Sequence, residues 1–295
     1  DVLSTQDGGG ELPEIAWYRN NGSQSFTALT IGTCPCALNS VYALDVDKDG
    51  DIDVVSNGAE GPGVNTAVKW YENNGSQSFT EHVITSGAGG VQSVYAGDMD
   101  NDGDMDILSA SASDHKIAWY ENDGATNPSW TAAVITTNAL SASSVFAADM
   151  DNDGDMDILS ASASDHKIAW YENDGATDPS FTAADITTSA DGAFSVFAAD
   201  MDNDGDMDIV SASERDNTIA WYENDGAVNP SWTAADISTS AQGARSVFAA
   251  DMDNDGDMDI VSASEGIYSD NTIAWYENDG AANPSWIAAD ISTSA

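Results

Sequence analysis

Five copies of the pattern Asp-x-Asp-x-Asp-Gly-Asp-x-Asp run through this chain of 295 residues. They stand at Asp45–Asp53, Asp98–Asp106, Asp149–Asp157, Asp200–Asp208 and Asp251–Asp259. A motif returning at near-constant spacing restricts the fold to architectures that set copies of one unit side by side. The period is 51 residues over the regular part of the chain. The stretch from Asp151 to Thr177 recurs from Asn101 to Thr126, matching from the asparagine onward, which points to recent duplication.

One unit reads as four short strands. The first is continuously apolar, as in Ser93–Asp98, Ser144–Asp149, Ser195–Asp200 and Ser246–Asp251, a pattern that predicts burial on both faces. The Asp-rich loop follows. The second strand is read at Asp106–Ser111, with an equivalent at Asp208–Ser213, and a polar turn comes next at Ala112–His115. The third covers Lys116–Asn122, rich in residues that suit a pleated surface. Asn122-Asp123-Gly124 supplies turn chemistry, and a fourth strand covers Trp130–Ile135. No segment carries a helical period. Four antiparallel strands per repeat of this length predict the blade of an all-β propeller. Strands two to four occur six times and strand one five times. Residues 1–295 therefore read as a single propeller domain with its first and last blades incomplete, either six-bladed or seven-bladed with part missing.

The loop spacing predicts a cation site in each repeat. Side-chain oxygens come from the first position (Asp45, Asp98, Asp149, Asp200, Asp251), the third (Asp47, Asp100, Asp151, Asp202, Asp253) and the fifth (Asp49, Asp102, Asp153, Asp204, Asp255). The glycine at position six permits the sharp turn. The seventh position (Asp51, Asp104, Asp155, Asp206, Asp257) offers its backbone carbonyl and keeps its carboxylate outside the first shell. The ninth (Asp53, Asp106, Asp157, Asp208, Asp259) closes the cage. Oxygen-only ligation suits a hard cation, so about five Ca²⁺ sites are expected. Zinc, copper and iron prefer His or Cys, which the loops lack. Magnesium is the weaker rival because it keeps its waters. An EF-hand is excluded, since its twelfth position requires Glu and Ser109, Ser160, Ser211 and Ser262 stand there. Without a cation, each close carboxylate pair costs on the order of a few kcal/mol at an effective dielectric near 20.

The formal net charge is −44, from 51 acidic and 7 basic residues. Five divalent ions supply ten charges and leave about −34. Nucleic acid and anionic membranes are therefore unsuited partners, and no apolar run is long enough to span a bilayer. Cys34 and Cys36 flank Pro35; a bridge between them closes a very small ring, and pairing with another chain or remaining free are the alternatives. Weak modular calcium sites suit the extracellular space. The chain begins with Asp, which reads as a processed product or a fragment, and a secreted or cell-surface location is expected. Asn21-Gly22-Ser23 and Asn74-Gly75-Ser76 are N-glycosylation acceptor patterns.

The unit Ser-Val-Phe-Ala-Ala-Asp-Met-Asp-Asn-Asp-Gly-Asp-Met-Asp-Ile-Val-Ser-Ala-Ser, followed by Ile-Ala-Trp-Tyr-Glu-Asn, resembles the FG-GAP or VCBS repeat family, the calcium-bearing blades of integrin-α-like propellers. The resemblance covers essentially the whole chain. It implies a propeller with calcium in the loop between the first and second strands of each blade, and functions ranging from adhesion and lectin activity to polysaccharide cleavage and structural roles. Trp17, Trp70, Trp119, Trp170, Trp221 and Trp275 recur on the third strand, which favours packing between blades over sugar binding. Ser113 and Lys116 match a Ser-x-x-Lys nucleophile motif, but the pattern recurs at Ser164 and Lys167 without partner motifs. The expected function is non-enzymatic: a structural or adhesive module that binds extracellular proteins, glycans or copies of itself, fibril formation included. A lectin with repeated pockets and a polysaccharide lyase or hydrolase are the alternatives, the latter drawing attention to the divergent Asn57–Thr66.

Overall fold

The computed structural model describes residues 1–6, 12–23, 25–59, 66–266 and 271–293. The chain is an all-β six-bladed β-propeller of antiparallel blades. Blade 1 comprises β1 (Val2–Gln6), β2 (Glu14–Asn20) and β3 (Phe26–Thr33). Blade 2 comprises β4 (Val41–Leu44), β5 (Asp53–Gly58), β6 (Ala67–Asn73) and β7 (Phe79–Thr85). Blade 3 holds β8 (Val91–Gly97), β9 (Asp106–Ser111), β10 (Lys116–Asn122) and β11 (Trp130–Thr136). Blade 4 holds β12 (Ala142–Ala148), β13 (Asp157–Ser162), β14 (Lys167–Asn173) and β15 (Phe181–Thr187). Blade 5 runs through β16 (Ala193–Ala199), β17 (Asp208–Ser213), β18 (Thr218–Asn224) and β19 (Trp232–Ser238). Blade 6 runs through β20 (Ala244–Ala250), β21 (Asp259–Ser264), β22 (Thr272–Asn278) and β23 (Trp286–Ser292). The last sheet has four strands and the first has three. The blades fall into two compact units, Asp1–Ala142 and Ser143–Ala295.

The second strand of each blade is the most buried. β9, β13 and β17 are buried at every position, which is why their sequences lack the alternation of a half-solvated strand. Of the hydroxyls admitted there, Ser109 Oγ lies 3.2 Å from Tyr120 Oη on the adjacent β10, whereas Ser111 Oγ and Ser162 Oγ are buried without a hydrogen-bond partner. Each third-to-fourth strand pair carries a bulge at the same place, Ile117/Ala118 in blade 3 and Ile219/Ala220 in blade 5. Beyond the bulge the Trp and Tyr of the third strand point to opposite faces and enter different cores: Tyr222 packs with residues of blade 4 and Trp221 with residues of blade 6.

The first strand departs from its expected burial on both faces. Val145 and Ala147 are buried, but Phe146 between them is half-buried and Phe248 is 54% exposed. These aromatics touch one another instead: Tyr42 and Tyr95 ring centroids lie 5.0 Å apart, Phe146 and Phe197 4.7 Å, and Phe197 and Phe248 4.8 Å. An apolar run does not distinguish a strand enclosed on two sides from one whose second side faces only its own counterparts. The cysteine pair also differs from the reading that weighed it against free or intermolecular thiols. Cys34 and Cys36 are bonded to each other with Cα atoms 5.1 Å apart, within ordinary disulfide reach, and are buried beside Ala59. Within the divergent stretch Asn57–Thr66, residues 60–65 lie outside the described residues.

Candidate metal centres

The loop Asp98–Asp106 shows how the site is built. β8 ends at Gly97 and β9 begins at Asp106. Two left-handed residues fold the intervening backbone: Asn101 at φ 57° and Gly103 at φ 90°. Asn tolerates the first conformation and Gly the second. Carboxylates then organise the turn from inside. Asp98 Oδ1 accepts the Asp102 amide at 3.1 Å and its Oδ2 accepts the Gly103 amide at 2.9 Å. Asp102 Oδ1 accepts the Asp104 amide at 2.8 Å. The result brings oxygens of Asp98, Asp100 and Asp102 within 4.8 Å of one another. Asp149, Asp151 and Asp153 form the same triad, as do Asp200, Asp202 and Asp204, and Asp251, Asp253 and Asp255. In the loop at Asp45–Asp53 the triad is Asp45, Asp47 and Asp53, and Lys48 occupies the left-handed position held elsewhere by Asn, at φ 60°.

The remaining two positions have other employment. At position seven the carboxylate turns toward a neighbouring blade. Asp104 pairs with Lys48, Asp206 Oδ1 accepts Asn152 Nδ2 at 2.5 Å, and Asp257 Oδ1 accepts Asn203 Nδ2 at 2.6 Å. At position nine the carboxylate is buried under the loop. Asp106 Oδ1 accepts the Asn122 amide at 2.8 Å and Oδ2 accepts the Met99 amide at 3.1 Å. Asp157, Asp208 and Asp259 repeat both bonds, and in the four regular loops position nine stands outside the triad.

The residues present fit a cation. Burial pushes Asp106, Asp157 and Asp208 up to about 7, and Asp53 up to about 6, although amide hydrogen bonds and the neighbouring tryptophan indole pull the other way. Burial and then the charges of adjacent carboxylates also raise Asp100, Asp151 and Asp202. A cation favours the ionised form of all of these groups. In addition, Asp45 Oδ1 is buried with no hydrogen-bond donor, an acceptor a metal ion satisfies. The donor set is carboxylate oxygen throughout.

Two supporting features escaped the sequence reading. The asparagine closing each third strand ties its blade to the loop of the preceding one. Asn122 Nδ2 donates to its own loop at the Met105 carbonyl and to the Val46 carbonyl, both at 3.2 Å. Asn224 reaches the Met150 carbonyl at 2.8 Å and Asn278 the Met201 carbonyl at 2.7 Å. The signal was present as the fixed asparagine after every Trp-Tyr pair. The second feature is the close approach of the position-seven carboxylate to the turn glycines at 124, 175, 226 and 280, which the sequence marked only as turn residues. Gly175 sits at φ 65°, and a Cβ added there would overlap Asp155 Oδ2. Gly175→Ala is expected to cost about 2 kcal/mol, from left-handed strain and the displaced carboxylate together. A melting temperature within a degree of the parent protein would contradict this.

Other flagged residues have structural roles. His115 and His166 occupy left-handed turn positions, and their Nδ1 atoms accept the Ser141 amide at 3.1 Å and the Gly192 amide at 3.2 Å. Asn217 does the same for the Gly243 amide at 3.0 Å. Lys116 pairs with Asp114 at 2.8 Å. Asn21 and Asn74 are exposed on the β2–β3 and β6–β7 turns. Among the described residues, no helix is long and apolar enough to cross a membrane.

A family profile described as FG-GAP-like repeat matches residues 1–56, 45–109, 102–160, 160–211 and 200–262. No curated protein matches. Among solved structures, a functionally unknown protein from Desulfotomaculum acetoxidans is similar at 11% identity and TM-score 0.61, covering 93% of this chain and 75% of its own. A protein from Lactobacillus plantarum is similar at 14% identity and TM-score 0.63, covering 99% of this chain and 81% of its own. At such identities the likeness concerns the fold alone.

Proposed function

We propose, from the premise that this chain belongs to the FG-GAP-like repeat family, that it is a secreted, calcium-stapled, non-enzymatic module of an extracellular or cell-surface assembly. The observation that carries this reading is the recurrence of an all-carboxylate triad in five loops. Calcium is favoured over magnesium because three carboxylates crowd one point and Mg²⁺ surrenders its waters reluctantly. When bound, the ion supplies the positive charge that the clustered carboxylates lack. The chain's own residues do the rest: the Asx-turn hydrogen bonds preset the triad, and position nine anchors the loop to the strand below it.

The non-enzymatic reading is supported by the use of His115, His166 and the Ser-x-x-Lys lysine in turn and edge contacts. Secretion is supported by the Cys34–Cys36 disulfide, a bond that persists in oxidising compartments. Partners follow from the surface charge: proteins or glycans of the extracellular space and copies of the chain, reached through bridging cations or basic patches. Equilibrium dialysis of chelated protein against calcium tests the core of the reading. Uptake of about five ions per chain, unmatched by magnesium at the same concentration, is expected. Uptake of none, or equal uptake of magnesium, overturns it.

A further inference from the structure

Two links tie the Asp-rich loop of one blade to that of the next, and each touches a residue adjoining a triad member. Between blades 5 and 6 the forward link runs through Asn203, which stands between the triad members Asp202 and Asp204 and is held at φ 61°. Its Nδ2 donates to Asp257 Oδ1 at 2.6 Å. The Asp257 amide donates in turn to Oδ1 of Asp255, a triad member of the next loop, at 3.0 Å. The backward link runs through Asn278. Its backbone amide donates to Asp259 Oδ1 at 2.8 Å and its Nδ2 to the Met258 carbonyl at 3.1 Å, both in the loop of blade 6. The same Nδ2 reaches the carbonyl of Met201 at 2.7 Å, between the triad members Asp200 and Asp202 of blade 5.

Blades 4 and 5 repeat the arrangement. Asn152 donates to Asp206 Oδ1 at 2.5 Å, and the Asp206 amide donates to Asp204 Oδ1 at 3.0 Å. Asn224 Nδ2 spans the Met150 and Met207 carbonyls at 2.8 and 3.0 Å. In the other compact unit Lys48 pairs with Asp104, whose amide donates to Asp102 Oδ1 at 2.8 Å, and Asn122 spans the Val46 and Met105 carbonyls. The acceptor at position seven has little room to move. A Cβ added at Gly226 or Gly280 would lie 2.1 Å from Oδ2 of Asp206 or Asp257. The carboxylate is thus held between the turn of its own blade and the asparagine of the loop before it.

We propose that neighbouring loops within each compact unit take up calcium as a coupled set. In the second unit Asn152, Asn203, Asn224 and Asn278 are the positioning residues that carry the coupling. The coupling presupposes the calcium sites proposed for the same loops. Three carboxylates within 4.8 Å of one another repel, so an empty loop loosens. Loosening displaces the residue at position four and the carbonyl at position two. Those are the two points by which the adjoining loop is held. An empty loop therefore leaves its neighbour with more ordering to supply on binding, whereas a filled loop presents both points already in place. The dependence is reciprocal, as linkage requires. Coupling between nearest neighbours is the behaviour of repeats that contact only adjacent units.

Calorimetric titration of the chelated chain with calcium, below the melting transition of the chelated protein, tests the coupling. A Hill coefficient of about 1.5 or more is expected, equivalent to a neighbour favoured roughly tenfold once one site is filled. Asn152→Gly combined with Asn203→Gly removes both forward links of the second unit and tolerates the left-handed backbone. This variant should bind as many ions as the parent with a Hill coefficient lowered toward unity. Asn217→Gly makes the same change at φ 61° in a turn of blade 5 outside the loops, and should leave the coefficient at the parent value. Native mass spectrometry of the parent at half-saturation reads the coupling without any variant, as a distribution of bound ions broader than binomial. A Hill coefficient of unity or a binomial distribution for the parent overturns the coupling and retains the calcium sites. So does a double variant as steep as the parent, or an equal loss of steepness in Asn217→Gly. Absence of calcium uptake removes the sites and the coupling together.

Discussion

Chelation of calcium lowers the melting temperature of this chain by more than about 20 °C, as expected for five sites that bind only the folded form. At an ion concentration of 100 Kd each independent site contributes about 2.7 kcal/mol, so five together exceed about 10 kcal/mol. The apo protein also carries a penalty of its own. Asp53, Asp106, Asp157 and Asp208 lie at most 1% exposed beneath loops holding four further carboxylates each, and burial drives them toward the neutral acid. Calorimetry in EDTA and in millimolar calcium measures the difference. Superposable transitions would show that Asx-turn hydrogen bonds alone hold the loops, and the metal reading would fall.

Trp221→Ala is expected to cost about 3–5 kcal/mol, the range for removing a fully enclosed aromatic. Trp221 is 3% exposed and packs with Met201, Val210, Val247 and Tyr276 between blades 5 and 6. Its strand partners, Val210 and Ala235, leave no second large side chain to fill the hole. Trp232, half-buried against the adjoining core, should cost roughly half as much when truncated. Chemical denaturation of the two variants reads both values. Equal and small losses, accompanied by loss of binding on a glycan array, would instead favour the lectin reading, in which these rings serve as sugar platforms.

Much of the blade was legible because the repeat supplied its own controls. β9 and β10 begin and end where the residue pattern places them, at Asp106–Ser111 and Lys116–Asn122. Alternate carboxylates around a glycine predicted a cation loop, and triads form at positions one, three and five in four loops and at one, three and nine in the first. The amide partners of position nine were not legible. Its oxygens are taken by the amides of Met99 and Asn122, one of them supplied from the end of a different strand. No local spacing encodes such a partner. Tyr95 and Phe146 illustrate a second limit: apolar residue type announces contact with something, and only the assembled blades decide that the contact is another aromatic ring. Cys34 and Cys36 illustrate a third, since a two-residue separation argued against a bond that the chain's path around Pro35 permits.

The links between blades each join one blade to its neighbour in the chain. In the second compact unit, Asn152 reaches forward to Asp206 and Asn203 to Asp257, while Asn224 and Asn278 reach back to Met150 and Met201. Each partner pair is therefore one repeat apart, and every joint uses the same grammar. Excising or inserting one whole 51-residue period here would bring together surfaces that already fit. Unequal recombination within such a gene can change the number of blades without having to invent an interface, and the near-identical copies from Asn101 to Thr177 are what that process leaves behind.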